Sequence, residues 1–238
     1  MKVSVFVFVC AFVGILCDAD ISFIQPCHSY DCACLKSSAQ QALPYIAAGI
    51  PELGMGTLDP MNVAHVATNQ QGLDIDFRNT VVKGLRHCLV LDLAMQQGHI
   101  SIDLQCSVVL TGDYSLNGNL MDFQIDGNGP YDIIIRDIVV QVVLDTDLRE
   151  EGGDTYLNIR NWSHSAHVLT NVKFHFENLL PGNKRLAKTV AHLANSNWRV
   201  IFDEMAPPIV KAIVARIVKE TSKLFDNVPL NKLSLDYE

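Results

Sequence analysis

The chain predicts an α+β fold in which an antiparallel sheet with one buried face packs against a long helical segment near the C-terminus. Three observations lead there. About a hundred central residues alternate apolar and polar side chains with a period of two. After Pro181-Gly182 the apolar spacing becomes helical. The first nineteen residues have the order of an export leader, so the cysteines beyond them are available for pairing.

The leader opens with Met1-Lys2 and one positive charge, and Val3 to Leu16 is apolar apart from Ser4 and Gly14. Cys17-Asp18-Ala19 then offers small residues at alternate positions, as a signal peptidase requires. As a membrane span the run is short, since a bilayer takes about 20 apolar residues. Cleavage is expected after Ala19, with Cys17 as the alternative, and an uncleaved anchor is the weaker reading. The expected plan is a signal peptide over 1–19 and one domain over 20–238, secreted and extracellular.

Hydrophobic residues make up 49% of the chain, yet no later stretch resembles a membrane span. The surplus apolar surface must fill a core or line a cavity. A formal charge of −8 excludes a general phosphate-binding surface, so no nucleic-acid partner is expected. It also disfavours docking on anionic lipid, and no stable membrane insertion is expected. The chain is expected to be a monomer.

Beyond the leader stand Cys27, Cys32, Cys34, Cys88 and Cys106, an odd set in an oxidising compartment. Cys32 and Cys34 are too close to pair with each other, so one of them joins Cys27. Cys88 and Cys106 lie symmetrically about Gln97-Gly98, as on two strands of a hairpin. Their parity is awkward: Cys106 continues the apolar set Ile100, Ile102 and Leu104, whereas Leu89, Leu91 and Leu93 fall out of phase with Cys88.

In chain order, Ser29 or Asp31 caps a helix running through Leu35, Ala39, Leu43 and Ile46 to Gly49, bent or restarted at Pro44. Pro51, Gly54, Gly56 and Pro60 mark a loop. Strands follow, with Leu73, Ile75 and Phe77, then Ile100, Ile102 and Leu104, then Val172, Phe174 and Phe176 as apolar positions. Tyr131 to Leu148 is a longer, more uniformly apolar strand that must curl. Turn signals stand at Gly112-Asp113, Asn117-Gly118, Gly127-Asn128-Gly129-Pro130 and Gly152-Gly153. Past Gly182, Leu186, Val190, Leu193, Trp198, Ile201, Phe202 and Met205 form one helical face. Ile209, Val210, Ile213, Val214, Ile217 and Val218 form a second. Pro207-Pro208 predicts a kink or break between two helices. The second helix is apolar around so much of its circumference that a sheet must cover it.

Catalytic constellations are missing. The chain has no Gly-x-Ser-x-Gly elbow and no phosphate-cradling glycine loop. His164 and His167, with Asp154, lie in a Ser- and Asn-rich stretch without zinc spacing and read as exposed loop histidines. The acidic run Asp145, Asp147, Glu150 and Glu151 lacks the order of a calcium loop and reads as a solvated turn. No enzyme, metal or cofactor is expected. Asn161-Trp162-Ser163 is a sequon, making Asn161 a candidate glycosylation site unless Trp162 tucks it into the sheet.

The order of motifs carries a resemblance. Cys27 and Cys34 precede Gly49-Ile50-Pro51-Glu52-Leu53-Gly54 and Leu58-Asp59-Pro60. Gly112-Asp113-Tyr114-Ser115-Leu116-Asn117-Gly118 and Gly127-Asn128-Gly129 follow, then Asn178-Leu179-Leu180-Pro181-Gly182-Asn183, Asn195-Ser196-Asn197-Trp198 and Pro207-Pro208. Together these resemble the insect takeout and juvenile hormone-binding protein family over nearly the whole mature chain. The resemblance implies a strongly curved antiparallel sheet wrapped around a long C-terminal helix, with an elongated apolar tunnel for a lipid-like ligand. It implies that Cys34, not Cys32, pairs with Cys27. Cys32, Cys88 and Cys106 stand outside that pattern, so a Cys88–Cys106 bridge rests on the hairpin alone. Takeout relatives also bring an association with biological rhythms.

The expected function is therefore a secreted carrier for a small hydrophobic ligand, terpenoid, juvenile hormone-like or fatty acid-like, without catalysis. The alternative is a secreted signalling protein presenting an apolar groove to a receptor or membrane. The expected wall is Leu186, Val190, Leu193, Ile201 and Met205 from the helices, facing Val172, Phe174, Phe176, Ile138, Val140 and Val142 from the sheet.

Overall fold

Alternating apolar residues can bury one face of a strand, and the six strands here turn that face toward helices from both ends of the sequence. The computed structural model describes residues 21–70, 72–96, 98–120 and 123–237; the expected leader lies outside them. Helix α1 spans Cys32–Ala48, and strands β1 Met61–Gln70, β2 Leu73–Lys83, β3 Leu89–Gln96, β4 His99–Leu120, β5 Phe123–Glu151 and β6 Asp154–Phe176 follow. Helices α2 Lys184–Ser196 and α3 Trp198–Asn227 complete the chain. The sheet is antiparallel in the order β1-β2-β4-β5-β6, with β3 paired to the first half of β4. It curls into a half-barrel around α3, the α+β arrangement the sequence predicts.

Bulges supply the curl. Registers shift between Arg78 and Val81, Cys106 and Val108, and Arg136 and Ile138, and an extra residue bends a strand and adds twist. Asp137, at φ 55°, forms this corner. Its backbone N–H donates to Ser107 Oγ at 3.1 Å, and its carboxylate accepts from Thr170 and Gln105. Those hydrogen bonds, Thr170 foremost, hold the Asp137 carboxyl below the ordinary carboxylate value. The shift also explains the uniformly apolar run in β5. Tyr131, Ile133 and Ile135 point inward before the bulge, and Ile138, Val142 and Leu144 after it.

A second shift settles the awkward cysteine parity. β3 slips between Val90 and Asp92, so Cys88 and Val90 face inward while Leu89 and Leu91 are exposed. The Cys88–Cys106 bridge closes across the hairpin with a Cα–Cα distance of 4.3 Å, against 5.8 Å for Cys27–Cys34. Cys32 is unbridged and exposed. The corner before β3 is held by Asp59, whose buried carboxylate accepts from the backbone N–H of Gly84 and Arg86 and from Arg86 Nε.

Several expected turns are strand interior. Gly112-Asp113 and Asn117-Gly118 lie within β4, and Gly127 to Pro130 within β5; only Gly152-Gly153 turns the chain. These glycines mark close approach instead. A Cβ on Gly127 would stand 2.5 Å from the Leu179 carbonyl oxygen, and one on Gly118, at φ +129°, would collide with that of Gly72.

The helical break also moves. The expected break at Pro207-Pro208 is absent, because α3 is continuous from Trp198 to Asn227. Proline at 207 and 208 leaves the carbonyls of Asp203 and Glu204 without donors. Asp203 is exposed and Glu204 half-exposed, so solvent can replace the lost bonds. The break falls at Asn197, whose backbone N–H and side-chain amide both donate to the Leu193 carbonyl.

Candidate functional site

Between the concave sheet, α1 and α3 lies a cavity of about 360 Å³, within the usual range for ligand pockets. The sheet contributes alternate residues of β3, β4 and β5, among them Met95, Ile102, Leu104, Val140 and Leu144. Helix α3 contributes wall residues from Phe202 to Phe225, roughly 35 Å of axis at 1.5 Å per residue. The space is elongated. Helix α1 supplies Leu35, Ala39, Ala42 and Ile46, its short alanine side chains leaving room that leucines would fill.

The wall is almost wholly apolar. Gln25, Ser38, Thr221 and Ser234 are its polar members, and among the described residues no charged side chain lines it. Glu220, almost fully buried, points elsewhere, accepting from the Gly56 backbone N–H and Lys223 Nζ at 2.7 Å each and pairing with Arg216 at 3.1 Å. Burial pushes that carboxyl up, but the bonds from Lys223 and Gly56 and the charge of Arg216 outweigh it and hold it below the ordinary value. This cluster pins the loop after α1 to α3, outside the cavity.

The two ends differ. Beyond Phe77 and Phe174, which line the cavity, Tyr114, Tyr131 and Phe176 pack ring against ring in the core without lining it. Ring centroids lie 4.9 Å apart for Phe77–Tyr131 and 4.7 Å for Tyr114–Phe176. Tyr131 Oη meets Thr80 Oγ1 at 2.7 Å, and Tyr114 Oη donates to the Glu177 carbonyl at 2.6 Å. Burial, reinforced by the Glu177 charge, raises Tyr114 to about 12. Burial also raises Tyr131 to about 12, against the lowering effect of Thr80.

The opposite end is closed by chain termini. Ile24, Gln25, Leu230, Leu233 and Ser234 line it. The Cys27–Cys34 bridge fixes this segment to α1, and Leu235 N–H donates to the Cys27 carbonyl at 3.0 Å. Asp236 accepts from Ser29 N–H at 2.8 Å and meets His28 Nδ1 at 2.6 Å. Hydrogen bonds from Ser29 and then His28 hold its carboxyl down at about 2.

Of the wall residues expected from sequence, Ile138, Val140, Val142, Phe174 and Met205 line the cavity. Val172, Phe176, Leu186, Val190, Leu193 and Ile201 do not. Val172, Val190 and Ile201 are buried in solid packing, and Leu186 is exposed. For Leu186, Val190 and Leu193 the reason is the position of α2, which packs against β6 and the start of the helical segment rather than along the cavity. The α3 half after Pro208 takes its place in the wall, together with α1. The signal for that half was its apolar circumference, already read as needing a sheet to cover it.

The other candidates are placed as follows. His164 and His167 lie on strand β6, not in a loop, and three residues apart on a strand they point to opposite faces. Among the described residues no group of three His, Cys, Asp or Glu side chains could hold a metal ion. Asp145, Asp147, Glu150 and Glu151 belong to the end of β5, not to a turn. Asp147 binds Arg160 and Asn158 there. Asn161 is exposed, and Trp162 rather than Asn161 packs inward.

A curled sheet closed by helices around an apolar cavity, with no titratable side chain in the wall among the described residues, is the architecture of a hydrophobic-ligand-binding fold. The chain belongs to the haemolymph juvenile hormone binding protein family, whose model matches residues 4–235, and the members of that family are binding proteins rather than enzymes. The circadian clock-controlled protein daywake of Drosophila melanogaster is 23% identical over 233 residues, covering 90% of this chain and 89% of that protein. The juvenile hormone-binding protein of Manduca sexta is 30% identical over 87 residues, covering 35% and 38%. The crystal structure of Takeout 1 from Epiphyas postvittana superposes with a TM-score of 0.86 at 24% identity, covering 89% of this chain and 99% of that one.

Proposed function

We propose that this chain is an extracellular carrier that sequesters one elongated hydrophobic molecule, terpenoid, juvenile hormone-like or fatty-chain, without altering it. The observation that supports this most is the apolar cavity of about 360 Å³ with no charged wall residue. Burying about 300 Å² of apolar ligand surface gains roughly 7 kcal/mol before association costs. Family membership and the juvenile hormone-binding protein of Manduca sexta point to the same class of guest. We assign ligand contact to Ile138, Val140, Val142, Phe174 and Met205, joined by α1 and the later half of α3. In this reading residues 1–19 are removed on export, the remaining chain acts as a single monomeric domain, and Asn161 can carry a glycan.

Native mass spectrometry of the secreted protein, with extraction of what co-purifies, tests the proposal. A one-to-one lipid adduct released by organic solvent is the expected result. A protein that is empty as purified and takes up no apolar probe would overturn it.

A further inference from the structure

The polar residues of the cavity wall gather at one end, and their hydrogen bonds differ. Ser38 Oγ accepts from Gln25 N–H at 2.9 Å and donates to the Gln25 carbonyl at 2.8 Å. Ser234 Oγ accepts from Asp236 N–H at 3.2 Å. Gln25 is exposed, so water can serve its side chain. Thr221 is different. It lies half-buried on α3, one turn before the wall residues Leu224 and Phe225, and its hydroxyl keeps accessible surface on the cavity wall without a hydrogen-bond partner among the described residues. A helical hydroxyl usually satisfies itself by bonding back to a preceding carbonyl. Thr189 does so to Arg185 at 3.2 Å, and Ser222 to Lys219 at 3.0 Å.

We infer that the Thr221 hydroxyl is the polar anchor of the cavity, and that the guest is a neutral lipid carrying one oxygen function (alcohol, ester, ketone or ether). This rests on the carrier reading above. The guest lies with that oxygen beside Thr221 and its hydrocarbon end toward Phe77, Phe174 and Phe202, which line the far end. Among the described residues an ionised carboxylate has no counter-ion in this wall. Arg216 and Lys223 are engaged by Glu220, and Arg149 by Glu151 and the Asp226 carbonyl. Enclosing an unpaired charge in an apolar wall is far costlier than enclosing a hydroxyl that gains a hydrogen bond.

The test measures displacement of N-phenyl-1-naphthylamine from the secreted full-length protein by dodecane, dodecan-1-ol, methyl dodecanoate and, at pH 8, dodecanoate. The alcohol and ester should compete at least fivefold better than dodecanoate. Thr221→Val, which keeps the side-chain shape, should weaken the alcohol and ester about fivefold, the value of one hydrogen bond, and leave dodecane unchanged. Thr221→Ser should restore them. Equal binding of dodecanoate and its ester, or a loss in Thr221→Val that dodecane shares, would overturn the anchor while leaving the carrier intact. Failure of the dye and all four competitors to bind would overturn the carrier reading itself.

Discussion

The two ends of the molecule share one sheet and one helix, yet one end is solid and the other hollow. At the solid end Tyr114, Tyr131 and Phe176 interlock, and both phenol hydroxyls have protein partners. At the hollow end the facing residues are mainly leucine, isoleucine and valine, flexible or branched aliphatics rather than interlocking rings, and among the described wall residues it is the Thr221 hydroxyl that lacks a partner. Binary patterning is the same throughout, so patterning decides which face is buried. Side-chain volume and hydrogen-bond completion then decide whether the buried space is filled. The two regimes coexist in one sheet: a packed aromatic block at one end and an under-filled length at the other.

The comparison can be broken most severely at the solid end. Tyr131→Ala should cost about 3–5 kcal/mol in denaturant unfolding, the range for removing a buried aromatic ring. A loss below about 1 kcal/mol would show that the aromatic block is loosely packed. Next in size is Cys106→Ala, which opens the bridge to Cys88; a loop of this length contributes roughly 3 kcal/mol in the chain-entropy model. The same unfolding assay under non-reducing conditions reads it.

A matched pair sharpens the contrast. Val172→Trp, in solid packing, should cost about 1–3 kcal/mol by overpacking. Val140→Trp, on the cavity wall, should cost little and abolish uptake of an apolar dye. Equal costs at the two sites would mean that the hollow is not one. The smallest effect at neutral pH concerns the phenols. Both folded-state values lie near 12 against an ordinary 10, so the folded state holds these protons more tightly. The stability this confers is complete below pH 10 and is lost as pH rises toward 12. Ultraviolet titration should show two of the six tyrosines ionising about two pH units late.

Much of this architecture is legible in the residues, and the failures are instructive. Period-two runs located the inward faces of β2, β4 and β6 because a half-buried strand has little freedom in which residues it hides. Asp31 and Gly49 bound α1 as expected, since its N-cap carboxylate accepts from Cys34 N–H at 3.0 Å. The glycines of β4 and β5 misled because a glycine that permits a turn looks the same as one that permits two backbones to touch. Pro207-Pro208 misled because the cost of a missing donor depends on whether the orphaned carbonyl meets solvent, which is a tertiary fact. For the cavity, parity picked Ile138, Val140 and Val142 correctly as inward, but the displacement of α2 onto β6 depends on packing that no local pattern records. Thr221 carried no signal, as one threonine in an apolar helix is ordinary until its neighbours' bonds are known.

The sheet never closes on itself: β1 and β6 are its outer strands, and α3 lies across both. A helix satisfies its own backbone, so no ladder of hydrogen bonds stitches it to a strand edge. The seam is held by side chains, with a single point of pairing among the described residues, where the Asn195 amide of α2 accepts from the Phe174 N–H and donates to its carbonyl at 2.9 Å each. Widening it by an ångström or two weakens dispersion contacts gradually, whereas parting two paired strands would break a row of bonds together. Opening of the cavity can therefore proceed by breathing along this seam while amide protons in β4 and β5 stay protected, so that the rates of opening and of global unfolding are set by different parts of the molecule.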